Sequence, residues 1–256
     1  MTRLRADFLC DPGLRRILDA FEAAGHRILL VGGAVRNALL GEPVSDIDLA
    51  TDALPDQVIA LAGRAGLRTV PTGIRHGTVT VLAPHDDGWR GHEVTTFRHD
   101  VETDGRHATV AFSDDLHEDA ARRDFTINAL YATGTGEVLD PMGGLPDLAA
   151  RRLRFVGDPR ARIAEDYLRI LRFFRFHAWY GRPGRADAQA VAACAELAPG
   201  MSRLSRERIG AEMRKLLSAP DPGDALGLMQ HCGVLQLALP GADAGLLPDL
   251  LRVERE

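Results

Sequence analysis

Apolar residues recur at helical spacing only in stretches, and these alternate with short runs that have no polar face. Leu14, Ile17, Leu18 and Phe21 fall at i, i+3, i+4 and i+7, one stripe of an amphipathic helix. Asp11-Pro12 in front supplies an N-cap and a first helical residue, and Gly25 stops the helix. Residues 27–31 (RILLV) are too few for a helix and read as a buried strand. Gly32-Gly33 ends that strand and opens a second helix running through Leu40. Residues 46–50 (DIDLA) form the next strand and 55–65 the next helix. The Val- and Thr-rich segments 77–83 and 93–97 are further strands.

At Arg98 the pattern changes. Residues 98–117 are polar with little periodicity and are expected to be a long loop, which in a compact domain is usually functional or disordered. Residues 119–131 read as a helix. A connector, EVLDPMGGLPDL, leads to 153–156, and from about Pro159 the chain is almost wholly helical. Near its end Ser205 caps a helix whose Ile209, Met213, Leu216 and Leu217 make an apolar stripe. The layout predicts an α/β domain over residues 1–157 and an all-helical domain over 158–256, without internal repeats.

Composition narrows the chemistry. Of 256 residues 26% are charged and 45% hydrophobic, as in a soluble globular protein. The formal net charge of −5 excludes a basic nucleic-acid coat, so any RNA contact must come from a local patch. Lys215 is the only lysine. Cys10, Cys194 and Cys232 are far apart and form no CxxC pair, which predicts free thiols in a reducing compartment. The first residues lack the apolar run of a signal peptide, and no stretch approaches the ~20 apolar residues of a membrane span. The expected location is the cytoplasm, with no membrane partner.

The first chemical signal is Ser45-Asp46-Ile47-Asp48. On a strand Asp46 and Asp48 project to one face, with Ile47 and Leu49 turned into the core. Two adjacent carboxylates repel and are stabilised by a cation, and all-oxygen ligation suits Mg²⁺. Alone, a DxD is more often a polar turn. Its context adds Gly32 and Gly33, whose helix-start amides can face an anion, and Arg36 on the first turn, within reach of a phosphate. Glu93 adds a third carboxylate if its strand lies beside the pair, and is otherwise a solvated strand residue.

These residues resemble the tRNA nucleotidyltransferase and bacterial poly(A) polymerase family, the group that includes CCA-adding enzymes. LLVGGAVRNALLG with DIDLAT is similar to the family's GGxxRD…DxD motif. EVTTFR, RRDFTINAL, LDPMGGLPDL with LRFVGDP, EDYLRILRFFRF and LSRERIGAEMRKLL follow in the family's order, over residues 28–217. Asn37 departs from the pattern, which has Asp there. A dinucleotide-binding oxidoreductase is excluded, because GGAVRN lacks GxGxxG spacing.

The resemblance implies a nucleotidyltransferase-type head followed by a helical neck and partial body that binds the nucleotide base and RNA. It implies that C or A from CTP or ATP is added to the 3′ end of tRNA with release of pyrophosphate. Asp46 and Asp48 would hold Mg²⁺, Glu93 would assist at the 3′-hydroxyl, and Gly32, Gly33 and Arg36 would hold the triphosphate. Arg123, or its neighbour Arg122, would reach phosphate, and Asp124 and Asn128, four apart on one helix face, the ribose hydroxyls. Asp166 and Arg169, on one helix with Glu165 orienting Arg169, would form a protein template for the base. Arg206 and Arg208 are expected to be scaffold. Two alternatives stay open: a poly(A) polymerase, and a non-catalytic RNA- or nucleotide-binding module.

Overall fold

The computed structural model describes residues 2–86, 88–103 and 108–246. The chain divides into two compact units, Met1–Glu102 with Thr109–Leu145, and Thr103–Ala108 with Pro146–Glu256.

The first unit is built on a seven-stranded mixed sheet. Its strands are β1 (Ile28–Val31), β2 (Asp48–Thr51), β3 (Arg68–Gly73), β4 (Thr78–His85), β5 (Gly88–Thr96), β8 (Tyr131–Ala132) and β9 (Val138–Leu139), in the order β3-β4-β5-β2-β1-β8-β9. Strand β2 runs antiparallel to β1 and parallel to β5. Four consecutive buried residues make up β1, as expected for a central strand covered on both faces. Helix α1 (Pro12–Glu22) begins where Asp11 accepts the Leu14 amide at 2.8 Å, and its predicted stripe is fully buried. Together with α3 (Pro55–Arg64) it packs against β4. Helix α2 (Gly33–Leu40) follows β1 directly through Gly32, whose φ of 65° is open to glycine and strained for other residues.

Two expectations for this unit are corrected. Residues 98–117 are not one loop: β6 (Arg98–Thr103) pairs with β7 (Ala108–Phe112), and α4 (Leu116–Ala121) follows, capped by Asp115. The tip, 104–107, lies outside the described residues. The β-branched Val101, Thr103, Thr109 and Val110 favour strand despite the surrounding polarity. Nor is 119–131 one helix. Helix α4 stops at Ala121, a single 3₁₀ turn covers Thr126–Asn128, and the chain enters β8 at Tyr131. Residues 124–132 are buried without a break, so this segment has no solvent face of the kind an amphipathic helix would present. Strand β3 also has no counterpart in the sequence reading.

A short helix, α5 (Gly144–Ala149), lies in the expected connector. The second unit then consists of α6 (Pro159–Glu165), α7 (Leu168–Tyr180), α8 (Ala188–Leu197), α9 (Arg206–Leu217), α10 (Gly223–His231) and α11 (Val234–Ala238). Helix α7 packs against α9 and α10, and α6 against α8. Buried Phe155 stacks on Phe173 at 5.8 Å, and Phe173 meets Phe174 edge-on at 5.3 Å, so this core is aromatic at its centre. Buried Asp147 is held by Arg152 and Arg154, because a carboxylate withdrawn from water needs a paired charge. The three cysteines are free thiols, as expected. Among the described residues no helix is long and apolar enough to cross a membrane.

Candidate active site

Sheet register gathers the acids of the first unit. Asp48 opens β2 directly across from Val31, the residue before the Gly32 turn. On its other side Leu49 is in register with Val94 of β5. One step back along both strands, Asp48 and Glu93 are therefore neighbours on the exposed face. Asp46 precedes the strand and is also exposed, while Ile47 between them is buried. The alternation is the one expected, although Asp46 itself stands outside β2. Asp46, Ile47, His92 and Trp89 also line a cavity of about 510 Å³.

Asp48 reaches the surface, but protein packed around its carboxyl group excludes enough water to raise its pKa. The neighbouring charge of Glu93 raises it too, Arg123 opposes both, and Asp46 adds a smaller upward push. Three carboxylates thus share a neighbourhood short of positive charge. Among the described residues no group of three or more His, Cys, Asp or Glu side chains is arranged to hold a metal ion by itself. Two carboxylates completed by phosphate oxygens and water is the coordination Mg²⁺ takes at nucleotide sites, and the hard oxygens of Asp46 and Asp48 fit that role.

Arg123 is fixed from below. Asp119 is 1% exposed, and its Oδ2 accepts Arg123 Nη2 at 3.0 Å and the Tyr131 hydroxyl at 2.6 Å. Its Oδ1 accepts Arg122 Nε at 3.0 Å. Burial alone would raise the Asp119 pKa, but the two guanidinium groups and the phenol outweigh it and hold the carboxyl below its ordinary value. Burial pushes the Tyr131 hydroxyl up, so it stays a neutral donor. Arg122 and Arg123, one or other of which was expected to reach phosphate, are both anchored on this acid. Arg123 keeps Nη1 near Gly32, 3.7 Å from where a Cβ would stand. Asp119 and Tyr131 were not among the candidate residues. The i, i+3 and i+4 spacing of Asp119 to Arg122 and Arg123 was a legible signal, whereas the phenol was not.

Arg36 is 6% exposed. Its guanidinium donates to Asn37 Oδ1 through Nε at 3.1 Å and Nη2 at 2.9 Å, and to Asn128 Oδ1 through Nη1. Asn128 in turn donates to Asp124 Oδ1 at 3.0 Å, and the same oxygen accepts the Phe125 amide at 2.8 Å. The sequence paired Asp124 with Asn128 on a helix face. They do meet, but around a 3₁₀ turn. The Gly32 amide is committed to Leu130 O at 3.0 Å, so helix-start amides for an anion begin at Gly33.

The second unit carries its own polar cluster. The expected single helix through Glu165, Asp166 and Arg169 is corrected: α6 ends at Glu165, Asp166 is extended (φ −152°, ψ 108°), and α7 begins at Leu168. Asp166 Oδ1 accepts the Leu168 amide at 3.0 Å, a helix-start interaction that breaks the helix here. Asp166 Oδ2 accepts Arg208 Nη2 at 2.6 Å. Arg208, expected to be scaffold, therefore belongs to this cluster, although its pairing joins residues 42 apart in sequence and no local spacing announces it. Arg169 Nη1 donates to Arg162 O at 2.8 Å and to the Glu165 carboxylate.

A mixed sheet with an acid pair beside a glycine turn, followed by a helical unit, defines a nucleotidyltransferase-type head with a helical neck. Residues 28–154 match the Poly A polymerase head domain, and residues 187–246 match the probable RNA and SrmB-binding site of polymerase A. The chain belongs to the tRNA nucleotidyltransferase and bacterial poly(A) polymerase family. It is 41% identical over 241 residues to the mitochondrial CCA tRNA nucleotidyltransferase 1 of Mus musculus, covering 93% of this chain and 54% of the relative. It is 41% identical over 227 residues to the CCA-adding enzyme of Leuconostoc citreum, covering 88% and 54%. The crystal structure of the Bacillus stearothermophilus CCA-adding enzyme in complex with CTP superposes with a TM-score of 0.77 at 36% identity, over 94% of this chain and 57% of that one. The chain thus spans about half the length of the curated relatives it matches.

Proposed function

We propose that this chain is an RNA nucleotidyltransferase that adds C and A to the 3′ end of tRNA from CTP and ATP, in the cytoplasm. The observation that carries the reading is the register placing Asp48 beside Glu93 and next to the glycine turn after β1. The names of its relatives, CCA-adding enzymes and CCA tRNA nucleotidyltransferases, supply the substrate.

In this reading the RNA 3′-hydroxyl attacks the α-phosphorus of the nucleotide, the P–O bond to the β-phosphate breaks, and pyrophosphate leaves. Asp46 and Asp48 would hold Mg²⁺, which would supply neutralisation of phosphate charge and a lowered pKa for the attacking hydroxyl. Glu93 assists removal of that hydroxyl's proton. Amides from Gly33 onward face the triphosphate at the positive end of α2, and Gly32 supplies the turn that presents them. Arg123 brings a fixed positive charge to the same place. Arg36 is a positioning residue here: it locks Asn128, and through it Asp124, for the sugar. In the helical unit Asp166 accepts the exocyclic amine of cytosine or adenine, and Arg169 donates to a ring acceptor. Uracil and guanine present a carbonyl where Asp166 needs a donor and are rejected. Glu165 and the Arg162 carbonyl aim Arg169, and Arg208 aims Asp166.

The test is extension of tRNA lacking its terminal CCA, with Mg²⁺ and labelled CTP or ATP, read on a sequencing gel. Addition of C, C and A supports the reading. Incorporation of A alone on an A-rich RNA assigns the chain to poly(A) synthesis instead, and no incorporation into either RNA removes the enzymatic reading for this chain.

A further inference from the structure

The C-terminal ends of α7 and α9 enclose a cavity of about 350 Å³ lined by Arg175, Trp179, Tyr180, Arg214, Lys215 and Ser218. Three of the six are cations and none is an acid, on a chain whose formal net charge is −5. Arg175 is held in place by Glu212 through Nε at 2.6 Å. Arg214 and Lys215 are exposed, and among the described residues neither forms an ion pair. Trp179 is 40% exposed, and its Nε1 donates to the Lys215 carbonyl at 2.8 Å. That bond pins an indole, already poor in rotamers, beside the cations. Positive side chains on the last turn of α9 complement the helix dipole. The dipole gives no reason for an aromatic ring held among them in a concave surface.

Cations without counter-charges favour an anion. An exposed aromatic ring fixed among them favours a flat group attached to that anion. A phosphate carrying a ribose and a base has both features, and such basic-aromatic surfaces bind single strands by stacking and phosphate contact. The cavity volume suits about one nucleotide. We propose that this pocket holds one nucleotide of the substrate RNA at a point other than the growing end; the proposal rests on the reading that the substrate is RNA. Trp179 follows Arg169 by ten residues on α7, about 15 Å along the axis, so the pocket is separate from the base-reading cluster. Arg214, Lys215 and Ser218 lie within the segment matched as a probable RNA-binding site, residues 187–246, whereas Arg175, Trp179 and Tyr180, which supply the aromatic side of the pocket, lie outside it.

The chain has two tryptophans, Trp89 and Trp179, so Trp89→Phe leaves a single reporter in the pocket. Titrating that variant with tRNA lacking CCA is expected to quench Trp179 emission saturably, with a midpoint matching binding measured by filter retention. In the full chain, Trp179→Ala is expected to weaken tRNA binding by about fivefold or more, and Arg214→Glu with Lys215→Glu to weaken it further and flatten its salt dependence. Circular dichroism on each variant separates loss of contact from loss of fold, and Trp179→Phe, which keeps a ring, is expected to recover most of the binding. Retention of tRNA with Trp179 emission unmoved overturns the proposal, as does wild-type affinity in the folded variants. Quenching by polyglutamate but not by tRNA overturns it in favour of an acidic peptide. Extension assays on the wild-type chain, which keeps Trp89 beside Asp46, keep the two claims apart. Extension with a silent Trp179 sinks only the pocket, and a responsive Trp179 without extension sinks only the enzymatic reading.

Discussion

Asn37 donates its side-chain amide to the carbonyl of Pro43 at 2.8 Å while its side-chain oxygen accepts two N–H groups of Arg36. It therefore ties the start of the loop that delivers Asp46 to a buried guanidinium. The resembled motif has Asp at this position. A carboxylate there would bind Arg36 more strongly but could not donate to Pro43. That carbonyl is exposed, so water can replace the lost donor, whereas buried Arg36 has less recourse to water. Asn37→Ala is expected to destabilise the protein by about 1–3 kcal/mol, and Asn37→Asp to recover most of the loss. Urea unfolding midpoints decide this, and equal destabilisation by both would contradict the relationship.

Acid stability follows from Asp119. Its carboxyl titrates below the ordinary 3.8 in the folded protein, so as pH falls the unfolded chain takes up its proton first. The stabilisation is complete above 3.8 and is lost as pH drops through the lower folded value. His92 adds a loss at higher pH. Burial holds its imidazole below the ordinary 6.5, so its contribution is present above 6.5 and disappears as pH falls below it. Asp119→Asn is expected to flatten the dependence of unfolding free energy on pH below about 4 while leaving the His92 slope intact. An unchanged acid slope would remove Asp119 as its source.

In the proposed reading, base selection depends on the pairing of Asp166 with Arg208. Without Arg208 the carboxylate keeps only the Leu168 amide and gains rotational freedom. Arg208→Ala is expected to reduce the preference for CTP and ATP over UTP and GTP by about 5- to 150-fold, the range of one bidentate base contact. Competition assays with mixed nucleotides measure this directly. Equal loss of all four nucleotides, with the ratios unchanged, would show that Arg208 supports the fold and not selection.

Much of this was legible from local pattern. The stripe of α1, the strand before Gly32 and the 46–49 alternation all follow from periods of 3.6 and 2. So did the pairing of Glu165 with Arg169, which survives although Asp166 interrupts the helix. What escaped was set by tertiary contact. Residues 124–132 are buried throughout, polar Asp124, Thr126 and Asn128 included, so polarity there does not mark a solvent face and the i, i+4 spacing of Asp124 and Asn128 did not decide between helix and turn. Arg208 reaches Asp166 and Tyr131 reaches Asp119 through packing, and sequence spacing does not encode either bond. Arg36 was expected on phosphate; its bonds to neighbouring Asn37 and to Asn128, 92 residues on, show contacts that the sequence did not announce, the second because only the fold brings Asn128 within reach.

The central claim is that Asp46 and Asp48 act together on a nucleotide. It is tested most directly by single-turnover incorporation from CTP into tRNA lacking CCA, across a Mg²⁺ titration, for wild type and Asp48→Asn. The substitution nearly preserves shape and removes one charge from the crowded acid cluster. Wild type is expected to show saturable Mg²⁺ dependence. Asp48→Asn is expected to lose on the order of 100-fold or more in rate while unfolding at the same or a higher urea concentration. Turnover by Asp48→Asn at the wild-type rate, or wild-type turnover indifferent to Mg²⁺, would contradict the account.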